Sequence, residues 1–147
     1  MVFKNEKQLK NFLLEKCRNA VMQSQEKIYQ ILDMFVKEFY ADYDPVMYER
    51  TYQLYRSLVK TDVYLIGNGY EAEVYFDLSS LNYVTGAKPS GEQVMSAAAY
   101  GGHGADGLRV VSGNSGADIW NNVIPILSTE AIEILKEELI AQGVPIK

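Results

Sequence analysis

Apolar side chains recur early in the chain at Leu9, Phe12, Leu13, Cys17, Ala20, Val21, Ile28, Ile31, Leu32, Phe35 and Phe39. Gaps of three and four place them on one side of a helix. Neither proline nor glycine interrupts the run, and Asn5 followed by Gln8 resembles a capping box. The pattern therefore predicts a long helix over residues 1–41, regular from Asn5 to about Tyr40. Such a helix would be roughly 50 Å long, more than a compact domain of this size spans. It must bend, break near Gln23–Ser24–Gln25, or project beyond the domain to meet another subunit. Ser24, in an otherwise apolar position, is where a break would fall.

A second helical spacing follows over 44–58. Asp44 before Pro45 is a helix start, since the carboxylate caps free amides and proline suits the first helical position. Tyr48, Tyr52 and Tyr55 share one face, Met47, Thr51, Leu54 and Leu58 a neighbouring one, and Arg50 and Arg56 flank them. The tyrosines either cover the edge of the core or form a partner surface, where tyrosine and arginine are favoured. The spacing then changes to two. Val63 and Leu65 alternate with Asp62 and Tyr64. Tyr70, Ala72, Val74, Phe76 and Leu78 alternate with Glu71, Glu73, Tyr75 and Asp77. Gly67-Asn68-Gly69 lies between the two runs, so 59–78 is predicted to be a hairpin with one wet face.

Over 81–127 the periodicity is weak, and most of the eleven glycines fall between 86 and 116. Gln93–Ala99 could supply a helical turn and Leu108–Val111 a short strand within an otherwise long loop, of the kind that is commonly functional. Trp120 is expected to anchor the returning loop. A closing helix is predicted at 128–142, capped by Ser128 or Thr129, buried through Ile132, Leu135 and Leu139, ended by Gly143 and stopped by Pro145. These elements make one α+β domain: a long N-terminal helix and a short C-terminal helix packed on a small antiparallel sheet, with a long glycine-rich loop.

Composition narrows the function. The chain has 147 residues and a formal net charge of −5. Basic residues are concentrated before position 61; only Lys88 and Arg109 lie between 61 and 127, against seven acids there. No segment is a basic patch, which disfavours tight phosphate-driven binding to nucleic acid. An acidic middle suits a protein that DNA passes without sticking. No apolar run is long enough to span a membrane, and the first residues lack the apolar stretch of a signal peptide. The single Cys17 cannot form an intramolecular disulfide and is read as a small packed hydrophobe. Folding in a reducing cytoplasm is the expectation.

Candidate chemistry is sparse. One histidine and one cysteine cannot build a histidine–cysteine metal site. The glycines around His103 do not follow a strand and open a helix, so they do not read as a phosphate loop. His103 and Asp106 lack a strained serine elbow to complete a triad. Neither an enzymatic activity, a cofactor nor a metal is expected. The competing reading is a small ligand-binding or enzymatic domain using the His103–Arg109 loop.

At Arg50 to Leu58, RTYQLYRSL, the chain resembles the head–tail joining proteins of long-tailed bacteriophages and prophages, the neck or tail-completion family. Many of these carry Thr-Gly-x-Leu-Arg-x-Ser-Ile/Leu after a long helix. Thr51, Leu54, Ser57 and Leu58 match in register, while Tyr52 stands where glycine is usual and Tyr55 where arginine is. The closing segment from Trp120 onward is similar to the ends of such proteins in low-GC Gram-positive bacteria. The resemblance implies a structural virion protein that forms an oligomeric ring, usually hexameric, at the phage neck around the DNA channel. It implies as partners the head connector or stopper and the tail terminator or tail tube, with DNA passing through unbound and no membrane. Its place would be the neck or tail of the virion, after assembly in the host cytoplasm. Thr51, Leu54, Ser57 and Leu58 would then be core positions. Tyr48, Arg50, Tyr52 and Tyr55, with His103 and Arg109 of the loop, would lie near partner contacts.

Overall fold

The computed structural model describes residues 2–42, 53–81, 90–92, 95 and 115–146. Helix α1 runs unbroken from Glu6 to Asp42, 37 residues. Its start is built as the sequence implies. The Gln8 amide donates to Asn5 Oδ1 at 2.9 Å, and Gln8 Oε1 accepts from the Lys4 amide at 2.9 Å. Two of the first backbone donors are thereby satisfied reciprocally. Of the three alternatives, a break at Gln23–Ser24–Gln25 does not occur. Ser24 is buried, and its hydroxyl donates to the Ala20 carbonyl one turn back at 2.8 Å, so the helix itself absorbs the polar group.

Helix α2 (Gln53–Ser57) leads directly into strand β1 (Leu58–Lys60). Leu58, placed by helical spacing at the end of the short helix, is instead the first strand residue. Strands β2 (Tyr64–Ile66), β3 (Gly69–Glu71) and β4 (Val74–Phe76) follow, then a 3-10 turn at Leu78–Ser80 capped by Asp77. β1 pairs antiparallel with β4, and β2 with β3 across the Gly67-Asn68 turn, where Gly67 adopts φ 57°. Such a left-handed residue costs glycine nothing. One hairpin thus carries two ladders. Lys60 faces Val74 and Tyr64 faces Glu71, so residues 61–63 of one arm oppose only 72 and 73 of the other. The extra residue is a bulge, which strengthens local twist and re-aims what lies beyond it.

Helix α3 spans Ser115–Ala141, 27 residues. The closing helix therefore starts well before Ser128, and the tail of the loop-rich 81–127 segment, Trp120 included, is helical. Ser128 and Thr129 are not caps. Their hydroxyls donate to the Pro125 carbonyl at 3.0 and 2.7 Å inside the helix. Pro125 removes one helical donor, a local cost of about 3 kcal/mol. Burial of the neighbouring Val123 and Leu127 offsets it. The C-terminus follows the expected pattern: Gly143, at φ 80°, donates to Ile140 O (2.8 Å) and Val144 to Leu139 O (2.9 Å), closing a Schellman motif before Pro145.

α1 is the spine. Leu32 packs with Leu58 of β1 and Val123 of α3, joined by Ile28, Tyr29, Phe35, Val74, Phe76 and Leu127. Lys27 reaches Glu138 at 2.6 Å. Because Leu32 meets residues 123 and 127 while Lys27 meets 138, α1 and α3 are antiparallel. In the glycine-rich segment, Gly91 lies so close to the 3-10 turn that a Cβ there would sit 2.1 Å from the Leu78 carbonyl oxygen. Only glycine permits that approach. The sequence-predicted strand at Leu108–Val111 lies outside the described residues.

Leu54 is 4% exposed. Leu54→Ala should lower stability by about 2–5 kcal/mol, the usual range for emptying a buried leucine site; urea unfolding followed by circular dichroism measures it.

Candidate assembly surface

Of the residues singled out by sequence, Tyr48, Arg50, Thr51, Tyr52, His103 and Arg109 lie outside the described residues. Leu54, Ser57 and Leu58 are buried, and the Ser57 hydroxyl donates to Leu54 O at 2.7 Å. Their helix-to-strand junction sits against α1. Tyr55 is half-buried, with the Lys37 ammonium 5.9 Å from its ring centroid. That ammonium also pairs with Asp33 at 2.7 Å, which together with the nearby Tyr55 holds it above its ordinary pKa.

A residue the sequence reading passed over positions the hairpin. Gln25, on α1, is 8% exposed. Its Nε2 donates to the Thr61 carbonyl at 2.8 Å and to the Glu73 carbonyl at 2.9 Å. Thr61 and Glu73 face each other at the bulge, where the Thr61 amide donates to Glu73 O at 3.0 Å. The return bond of a regular ladder would run from the Glu73 amide to Thr61 O. Instead the Glu73 amide takes the Thr61 hydroxyl at 2.9 Å, and the Thr61 carbonyl serves Gln25. Next to this site Lys60 pairs with Glu26 and lies 5.1 Å from the Tyr29 ring centroid. The Lys60 hydrogen bond, helped by Gln30, holds the Glu26 carboxyl below its usual range.

Beyond the bulge β3 still lies against α1 and is half-buried, while β2, its partner in the ladder, is exposed. Tyr64, Leu65 and Ile66 are 40, 60 and 55% exposed, so both faces of β2 meet solvent. The alternation rule expected Leu65 to be covered. The available signal was the adjacent pair Leu65-Ile66, which cannot both point to one face. The Tyr64 hydroxyl donates to Glu71 Oε1 across the ladder at 2.6 Å. That hydrogen bond to a carboxylate pushes the phenol up to about 12.

A second, partly exposed apolar stripe lies on α1. From the Lys27–Glu138 pair, α1 runs on toward Glu6 for about six turns, roughly 30 Å, whereas α3 ends within one turn at Ala141. Leu9 and Leu13 share a helical face with Ala20 and Lys27, the face turned to α3. Ala20 is fully buried, but Leu9 and Leu13 are 39 and 37% exposed. Among the described residues, no group of three or more His, Cys, Asp or Glu could hold a metal ion, and no helix is long and apolar enough to cross a membrane.

The family model for YomN matches residues 5–141, nearly the whole chain. That family is associated with Bacillus phages and prophages, which points to a phage-derived protein. No curated protein and no solved structure matches the chain.

The Tyr64–Glu71 bond favours the protonated phenol. Its stabilisation should be complete below pH 10, the ordinary tyrosine value, and should fade as pH rises through about 12. In an ultraviolet difference titration against Tyr64→Phe, Glu71→Gln should bring this tyrosine's ionisation down toward its ordinary range. Gln25→Leu should cost about 1–3 kcal/mol in thermal or urea melts, because it leaves the Thr61 carbonyl short of a partner.

Proposed function

Since the chain belongs to the YomN family, we propose that it is a structural virion protein, a tail-completion or head–tail joining subunit that repeats as a ring at the phage neck. The observation that carries this reading is the match of a phage-associated family over residues 5–141 to a chain with exposed apolar side chains on β2 and partly exposed ones along α1. Exposed apolar patches of this sort mark protein–protein contacts. The motif resemblance adds support: Leu54, Ser57 and Leu58 are buried where the short helix turns into β1. The charge distribution adds more. Residues 61–81 hold Asp62, Glu71, Glu73 and Asp77 with no lysine or arginine, a surface DNA would pass without adhering. In this reading the ring meets the head connector or stopper on one side and the tail terminator or tube on the other.

The test is a deletion of the gene from the phage that carries it. Filled heads and finished tails should accumulate unjoined, and complementation with a tagged copy should place the tag at the neck in electron micrographs. Particles that join normally without the protein, or lack it when intact, would overturn the reading.

A further inference from the structure

We infer that copies of this chain associate through one specific contact: the hairpin tip of one copy seats on the Leu9–Leu13 stripe of α1 in the next. The inference rests on the ring reading above and identifies which surfaces would join.

Three observations converge on it. First, both surfaces are apolar and more than a third exposed. Tyr64, Leu65 and Ile66 form one, and Leu9 and Leu13 continue the face that α3 buries further along α1. The stripe is thus the unfinished end of an interface that already packs a secondary-structure element. Second, the surroundings are complementary in charge. Lys4, Lys7, Lys10, Lys16 and Arg18 outnumber Glu6 and Glu15 on the first part of the chain, whereas the hairpin carries Asp62, Glu71 and Glu73 around its tip. The ion pairs among the described residues join Lys27 to Glu138, Lys37 to Asp33, Lys60 to Glu26 and Lys136 to Glu133. None joins these two segments within one copy, which leaves both sets of charges to steer a neighbour.

Third, the two surfaces point in different directions. The hairpin is held on the side of α1 that carries Gln25, while Leu9 and Leu13 share the side of Ala20 and Lys27. Gln25 lies five residues past Ala20, about 140° around a helix of 3.6 residues per turn. A surface pair set apart in this way joins head to tail rather than face to face. Head-to-tail contacts close into rings when the rotation permits.

Two double variants separate the surfaces: Leu65→Thr with Ile66→Thr at the tip, and Leu9→Gln with Leu13→Gln on the helix. Circular dichroism should show both folded, since none of the four side chains is buried. In sedimentation velocity the wild type should self-associate, and each double variant alone should lose roughly thirtyfold or more in affinity, as removal of a hot-spot contact does. Mixed one to one, they should form a dimer that grows no further, because each contributes one intact surface. Charge gives an independent check that leaves the apolar residues in place. Lys7→Glu with Lys10→Glu should weaken association, and adding Glu71→Lys with Glu73→Lys to the same chain should restore it. A wild type that remains monomeric, or double variants that assemble as it does, would sink the contact. Variants that assemble normally would leave the neck reading standing, whereas absence from particles would sink that reading while the solution contact remained.

Discussion

The carboxamide of Gln25 sets the relation between the helical spine and the hairpin. A buried amide must find partners or pay heavily in lost hydration. Here it finds two backbone carbonyls, Thr61 and Glu73, one on each arm of the hairpin. The regular ladder is interrupted at this level: the Glu73 amide donates to the Thr61 hydroxyl rather than to its carbonyl, and the Thr61 carbonyl accepts from Gln25. Packing at Leu32 and Leu58 then holds the hairpin base a short way along α1. Apolar contacts hold the hairpin down; the directional bonds decide its level and orientation on the helix.

Everything distal to that point inherits the geometry. The bulge separates a base whose residues reach the core, Leu58, Val74 and Phe76, from a tip that leaves Leu65 and Ile66 in water. On the opposite flank α3 runs antiparallel to α1 and ends at Ala141 while α1 continues past it. The core consequently lies along α1 from Ala20 to Val36, and nearer the N-terminus Leu9 and Leu13 stay more than a third exposed. In the proposed ring, a stiff helix with a hairpin fixed to its side would hold the exposed β2 edge and the Leu9–Leu13 stripe at a set angle to each other.

The phage association and the motif resemblance at Arg50–Leu58 bear on different parts of the chain. The family match extends across nearly all of it. The motif is confined to the turn from α2 into β1, where Ser57 is fully buried and bonded to Leu54 O. Ser57, buried where α2 passes into β1, satisfies its hydroxyl on the Leu54 carbonyl three residues back. Substitution of Tyr55 where related motifs have arginine leaves an aromatic ring beside Lys37.

Local signals were enough for the elements whose cause is local. The period of α1, the Asn5–Gln8 cap, the left-handed Gly67 turn and the Gly143–Pro145 stop all arise from residues within one or two turns of each other, so the sequence by itself determined them, and with them the α+β class. Three features depend on residues far apart and could not be read that way. Gln25 looks like any polar helix residue until carbonyls 36 and 48 positions away arrive beside it. The bulge exists only when the residues of both hairpin arms are counted against each other. The extension of α3 through Pro125 runs against the local preference of proline and is sustained by Val123 and Leu127 against α1. In each case tertiary packing decided the outcome, because the stabilising partner comes from another element and exceeds the weaker preference of the local chain.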